Sequence, residues 1–131
     1  MKTILNSILC TLGLALVTTL PSTAAAQELT LEDGVYTEAQ AESGEQVYQE
    51  FCLGCHNERF YRQAWSKWED RTVEQFWFYI VGEMPQDNPG FLSDQEYTDV
   101  TAFIFSILGF PAGDTALDPY DGMDQIKIVL P

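Results

Sequence analysis

Histidine is almost missing from this chain, cysteine is scarce and cations are few. Its 131 residues include one histidine, three cysteines and six lysines plus arginines, set against 20 aspartates plus glutamates. So negative a surface repels nucleic acid and anionic lipid, which excludes both as partners, and it favours a protein partner with a basic docking patch. Most of the carboxylates are read simply as a solvated surface that keeps the chain soluble. No two neighbouring runs alternate polar and apolar residues as a hairpin would, and no internal repeat or low-complexity stretch occurs, so the expected class is all-α.

One long apolar run is present, from Ile4 to Leu20, and it carries no charge. Lys2 precedes it, and Pro21 followed by Ser22-Thr23-Ala24-Ala25-Ala26 closes it. This is the anatomy of a secretory signal peptide cleaved after Ala26, which predicts export to the periplasm. A retained anchor fits less well, because the run falls short of the roughly 20 residues a span needs and lacks basic flanks at its far end. No stable membrane insertion is expected. Cys10, preceded by the bulky Leu9, is a poor lipidation site and is read as discarded with the leader. Cleavage leaves two cysteines, Cys52 and Cys55, in an oxidising compartment, where a disulfide, a metal site and a covalent cofactor are all open.

The mature chain is read as an extended arm over 27–38, one domain over 39–117 and a turn-rich tail over 118–131 whose apolar end, Ile126 to Leu130, suits an extended strand. A domain this small gains only modest stability from burial, so a staple is expected. A helix is predicted from Glu38 or Ala39 into Phe51. A second opens at a Thr72/Gln75 capping box, with Val73, Phe76, Trp77 and Ile80 on one face and Gly82 placed as its left-handed stop. A third opens at a Ser93/Glu96 box, carries Val100, Phe103, Ile104 and Ile107, and stops at Gly109 and Pro111. The stretch from Asn57 to Arg71 is weakly patterned and is read as irregular with one helical turn.

Cys52-Leu53-Gly54-Cys55-His56 is a C-x-x-C-H pattern, the signature of covalent c-type haem attachment. Two thiols one turn apart can add to the two vinyl groups of one haem, and the histidine that follows lies under the iron. A thioredoxin-like pair would need a βαβ pattern that is absent, and tetrahedral zinc would need a fourth ligand that the mature chain does not have. His56 is thus the expected proximal ligand. For the opposite position a neutral thioether suits an electron carrier, and only Met84 and Met123 follow the leader. Met84 is preferred, since it lies in a short loop after a helix and is followed by Pro85, whereas Met123 sits in a polar tail.

From Gly34 to Leu117 the chain resembles a class I cytochrome c, in particular the kind associated with periplasmic PQQ-dependent (quinoprotein) dehydrogenases. The likeness is carried by Val35-Tyr36-Thr37-Glu38-Ala39-Gln40-Ala41, Gly44, Val47-Tyr48, the haem motif, Met84-Pro85 and Asn88-Pro89-Gly90-Phe91-Leu92-Ser93. Glu96-Tyr97, Asp99-Val100, Ala102-Phe103-Ile104 and Gly109 to Gly113 extend it. The resemblance implies a small monohaem fold with crossing N- and C-terminal helices and a short methionine loop. It places Gly44 at the crossing with Tyr48 and Phe103 stacked there, and Trp68 near a haem propionate. Tyr48 and Trp68 therefore join Cys52 and Cys55 as expected cofactor contacts, with His56 and Met84 on the iron.

One departure is plain: no proline follows the motif before Met84 to offer a carbonyl to the His56 ring, so a carbonyl between Asn57 and Trp65 is expected to accept that bond. Arg59, Arg62, Lys67 and Arg71 lie in the same stretch, and one or two of them are expected to pair with propionates unless they are simply solvated cations. The implied activity is one-electron transfer, not catalysis, from a quinoprotein dehydrogenase to a terminal oxidase or another cytochrome. The alternatives are a gas-binding cytochrome with a labile methionine and a haem subunit of a larger oxidoreductase.

Overall fold

The structure is a computed structural model, and it describes residues 28–131. The expected leader and cleavage after Ala26 lie outside the described residues. Within them the chain forms four α-helices: α1 (Glu38–Phe51), α2 (Glu58–Ala64), α3 (Val73–Glu83) and α4 (Asp94–Leu108). Short 3-10 turns add Leu31–Asp33, Trp65–Trp68 and Met123–Gln125. Extended backbone contributes only isolated bridges among the described residues, so the all-α expectation is met. No helix there is long and apolar enough to cross a membrane.

The helix starts are written locally. Thr37, Thr72 and Ser93 each cap a helix with the side-chain oxygen, and each in return donates its own amide to the side chain of Gln40, Gln75 or Glu96 three residues on. Two amide donors that the helix cannot satisfy are met at each start. Gly109 ends α4 at φ 99°, in the left-handed region that costs glycine nothing.

α1 and α4 make the most extensive helix pairing, and Gly44 is what lets them meet. A Cβ placed on Gly44 would lie 1.9 Å from the carbonyl oxygen of Asp99 and 2.8 Å from the amide nitrogen of Val100, so the two backbones touch with no room for a side chain. Tyr48 and Phe103 stack at the same crossing with ring centroids 4.9 Å apart. Behind it, Phe76 from α3, Trp65 and Phe105 from α4 form an aromatic core with centroid separations of 5.2 to 6.1 Å.

Three expectations are revised. Gly82 does not stop α3; the helix continues to Glu83 and Met84 caps it with extended backbone. The stretch after the motif is more regular than its pattern suggests, since Asn57 caps α2 and a 3-10 turn follows it directly. The segment read as an extended arm carries a capped 3-10 turn, with Leu31 fully buried. Arm, tail and α3 are also joined: Lys127 accepts from Leu31 and donates to Leu29, while the Ile126 carbonyl accepts from the Val73 amide. The tail therefore packs on its own domain, burying Met123, Ile126 and Ile128.

Candidate haem site

The motif folds as the turn that ends α1. The amides of Cys52 and Leu53 both bond the Tyr48 carbonyl, and those of Cys55 and His56 both bond the Cys52 carbonyl. One turn thus carries both thiols and the imidazole, and the thiols remain unpaired with each other. The Tyr48 hydroxyl donates to the His56 carbonyl, which ties the histidine backbone to α1. The imidazole packs against Phe60 at 4.3 Å and Tyr61 at 5.9 Å between centroids, both from α2.

These groups open onto a cavity of about 930 Å³. Cys52, Cys55 and His56 line one side, Met84 and Pro85 come from the loop after α3, and Val100 and Ile104 come from α4. Trp68, Lys67 and Arg71 close another part of the wall. A mostly apolar cleft of this size with a few convergent polar groups is the usual form of a site for a large cofactor. Burial lowers the His56 pKa and pushes the Cys52 thiol up to about 11. A lowered pKa favours the neutral imidazole, the form that can bind a metal.

His56 Nδ1 is buried without a hydrogen-bond partner. The expected acceptor between Asn57 and Trp65 is therefore not provided. Asn57 enters α2 at once, and its carbonyl accepts the Phe60 amide, so the chain winds into a helix instead of running past the ring. An unsatisfied buried nitrogen beside two thiols, on the wall of a large apolar cavity, fits a covalent haem with an imidazole ligand. Zinc is not matched: among the described residues no three His, Cys, Asp or Glu side chains converge to hold a metal ion.

The two methionines part company. Met84 lines the cavity, while Met123 is 3% exposed within the hydrophobic core and lies away from the cavity wall. Both tryptophans line the cavity, but their indole donors differ. The Trp65 indole donates to the Val129 carbonyl at 3.0 Å, so its one donor is spent on the tail. Trp68 packs edge-on against Phe76 and Tyr79, with Arg71 over its ring at 5.6 Å, and stays on the cavity wall.

The basic residues are sorted too, since Lys67 and Arg71 line the cavity whereas Arg59 and Arg62 line a separate surface depression. Tyr48 is likewise absent from the cavity wall and lies on that depression, so its tie to the site runs through the His56 backbone. Tyr97 was not singled out as a site residue in the sequence, yet its hydroxyl donates to the Met84 carbonyl at 2.6 Å. A tyrosine in an apolar helical stripe carries no sequence signal for such a bond.

A family model described as cytochrome c oxidase, cbb3-type, subunit III matches residues 39–104, a span that begins in α1, takes in the haem motif and Met84, and runs into α4. No curated protein and no solved structure matches the chain.

Proposed function

The chain belongs to the family described as cytochrome c oxidase, cbb3-type, subunit III, and is a c-type cytochrome with covalently bound haem c; from that premise we propose that it is a periplasmic one-electron carrier with one haem held between His56 and Met84. The observation that carries this reading is the convergence of Cys52, Cys55, His56 and Met84 on one cavity, with the rival Met123 in the core.

Bound haem supplies a one-electron ferric/ferrous couple whose potential a thioether ligand raises. The chain's own residues do the rest. Cys52 and Cys55 would each add across a haem vinyl group, sulfur to one carbon and the thiol hydrogen to the other, so that an S–H and a C=C π bond give S–C and C–H bonds and the group is fixed to the end of α1. His56 presents a neutral nitrogen, and the apolar wall formed by Phe76, Ile80, Val100 and Ile104 excludes water. Lys67, Arg71 and the unpaired Trp68 donor would meet the propionate carboxylates. Export follows from the leader pattern before Gln27.

The proposed donor is a PQQ-dependent dehydrogenase and the proposed acceptor a terminal oxidase or another cytochrome. The family-like residues at Asn88–Ser93 and the acidic surface support that pairing. A second reading, the same domain as a non-catalytic subunit of a larger oxidoreductase, is favoured by aromatic side chains outside the core: Phe78 is 59% exposed and Phe91 55%. A monomer that exchanges electrons freely with a separate dehydrogenase would refute the subunit reading.

The primary test is an absorption spectrum of the periplasmically matured protein, including the near-infrared band of the oxidised form that reports thioether–iron ligation. The band should be present and should vanish in Met84→Ala. Its absence from the wild type, together with rapid carbon monoxide binding by the reduced form, would overturn the carrier in favour of a gas-binding cytochrome.

A further inference from the structure

Met84 is held from two sides by its backbone. Its amide donates to the Ile80 carbonyl at 2.9 Å as the last bond of α3, and its carbonyl accepts from the Tyr97 hydroxyl of α4 at 2.6 Å. Beyond it Pro85 has no amide to offer, so Met84 is the last loop residue that α3 itself can anchor. Tyr97 is 1% exposed, and its ring has no freedom to follow a moving loop. One residue further along α4, the Thr98 hydroxyl accepts from the Trp77 indole at 3.1 Å and donates to the Asp94 carbonyl at 2.7 Å, which joins α3 to α4 beside the same contact.

We propose that Tyr97 is a positioning residue that holds Met84 toward the cavity, so that the hydroxyl-to-carbonyl bond sets how much of the time the thioether is in place and foreign ligands are kept out. The inference rests on the reading of Met84 as an axial ligand. With both backbone polar groups fixed, the Met84 Cα has a defined position and only side-chain rotation is left to direct the sulfur. Without the Tyr97 bond the carbonyl can turn, and the loop from Pro85 to Leu92 is free to carry the thioether away. A typical hydrogen bond of this kind is equivalent to a change of about two- to tenfold in an equilibrium.

The experiment compares matured holoprotein carrying Tyr97→Phe, which keeps the ring and removes the hydroxyl, with Thr98→Val, which removes the neighbouring bond to Trp77 and leaves Met84 tied. The readouts are the temperature at which the near-infrared band is lost and the rate at which the reduced protein binds carbon monoxide. Tyr97→Phe should lose the band at lower temperature and bind carbon monoxide about two- to tenfold faster. Thr98→Val should unfold more readily yet keep the wild-type carbon monoxide rate and lose the band only as it unfolds, whereas Tyr97→Phe should lose it below its unfolding temperature. Equal effects of the two substitutions would mean general loosening of α3 on α4, and no effect of Tyr97→Phe would mean that the bond holds nothing; either overturns the proposal.

A second measurement covers failure of the variant to fold: proton NMR of the reduced wild-type holoprotein should show a slowly exchanging Tyr97 hydroxyl proton, and a rapidly exchanging one overturns the proposal. A wild type that lacks the near-infrared band while retaining that protected proton would locate the failure in the ligand reading itself, and the positioning role would fall with it.

Discussion

Replacing Gly44 with alanine should destabilise the protein strongly although it improves the helix. In a helix interior alanine is better than glycine by about 0.8–1 kcal/mol, so by propensity alone the substitution is a gain. The new methyl group, however, would stand 1.9 Å from the Asp99 carbonyl oxygen and 2.3 Å from its carbon, both backbone atoms that cannot rotate aside. Relief requires α1 and α4 to separate by more than an ångström along their closest contact, which also opens the Tyr48–Phe103 stack. Overpacking costs typically about 1–3 kcal/mol, and a clash between two backbones belongs at or above the top of that range. The net loss should therefore be about 2 kcal/mol or more. Gly82 in α3 is the control, since a Cβ there meets nothing within 4 Å and alanine should stabilise by about 0.5–1 kcal/mol. Guanidinium unfolding of the two holoproteins by circular dichroism decides the matter. A Gly44→Ala protein as stable as wild type would refute the claim that the helices touch backbone to backbone.

Met123→Ala should cost about 2–5 kcal/mol of stability and leave the near-infrared band intact, whereas Met84→Ala should abolish the band; spectra and melts of the two variants separate a core methionine from a ligand. Neutralising Lys67 or Arg71 with glutamine should lower the midpoint potential by roughly 10–40 mV, because a nearby cation favours the reduced form, while the same change at Arg59 or Arg62 should do nothing measurable by redox titration. Asp99→Asn should raise stability at neutral pH. Desolvation holds the Asp99 carboxyl above its ordinary value, against the opposing bond from Gln95. A raised folded-state pKa means stability that is intact below the ordinary value of 3.8 and is lost as pH rises through the folded-state pKa. The variant's advantage should accordingly fade in acid, and an advantage that does not change with pH would show that the cause is packing.

The parts of the fold legible in the sequence are those where a local rule and the core agree. The Thr72 and Ser93 boxes mark real helix starts, and the periodic residues of α3 are all buried, whereas on α4 Val100 and Ile104 are buried, Phe103 and Ile107 are only half-buried, and the core aromatic is Phe105, which lies off that stripe. α2 is hard to read because, of its apolar side chains, only Tyr61 packs against that core. Phe60, Tyr61 and Ala64 line the cavity, and no α2 residue is buried, so the helix answers to a cofactor surface and its stripe is short and interrupted by charge. Gly82 misled for a related reason: a glycine near a helix end suggests a left-handed cap, but here it lies in an open helical turn one residue before the end. The haem motif needed no fold to be recognised, since its spacing is its chemistry. Which carbonyl or cation meets the site depends on long-range placement, and those were the assignments that the chain pattern left open.

The tail shows why such placement cannot be read locally. Trp65 and Trp68 stand three residues apart in one 3-10 turn and both line the cavity, each with a single indole donor, and nothing in their own neighbourhood says which donor is left for it. The choice is made 64 residues away, where Val129 offers a carbonyl to Trp65 and satisfies its donor. Val129 is held there because Ile128 exchanges bonds with Asp70 and Arg71 and is itself fully buried. The same pairing fixes the backbone of Arg71, whose guanidinium lies over Trp68. The tail thus takes up the Trp65 donor and orients the cation at one end of the cavity without touching the cavity itself. Deleting residues 126–131 should consequently disturb the Trp68–Arg71 end of the site before the Cys52–His56 end, which α1 secures independently through the Tyr48 carbonyl and hydroxyl.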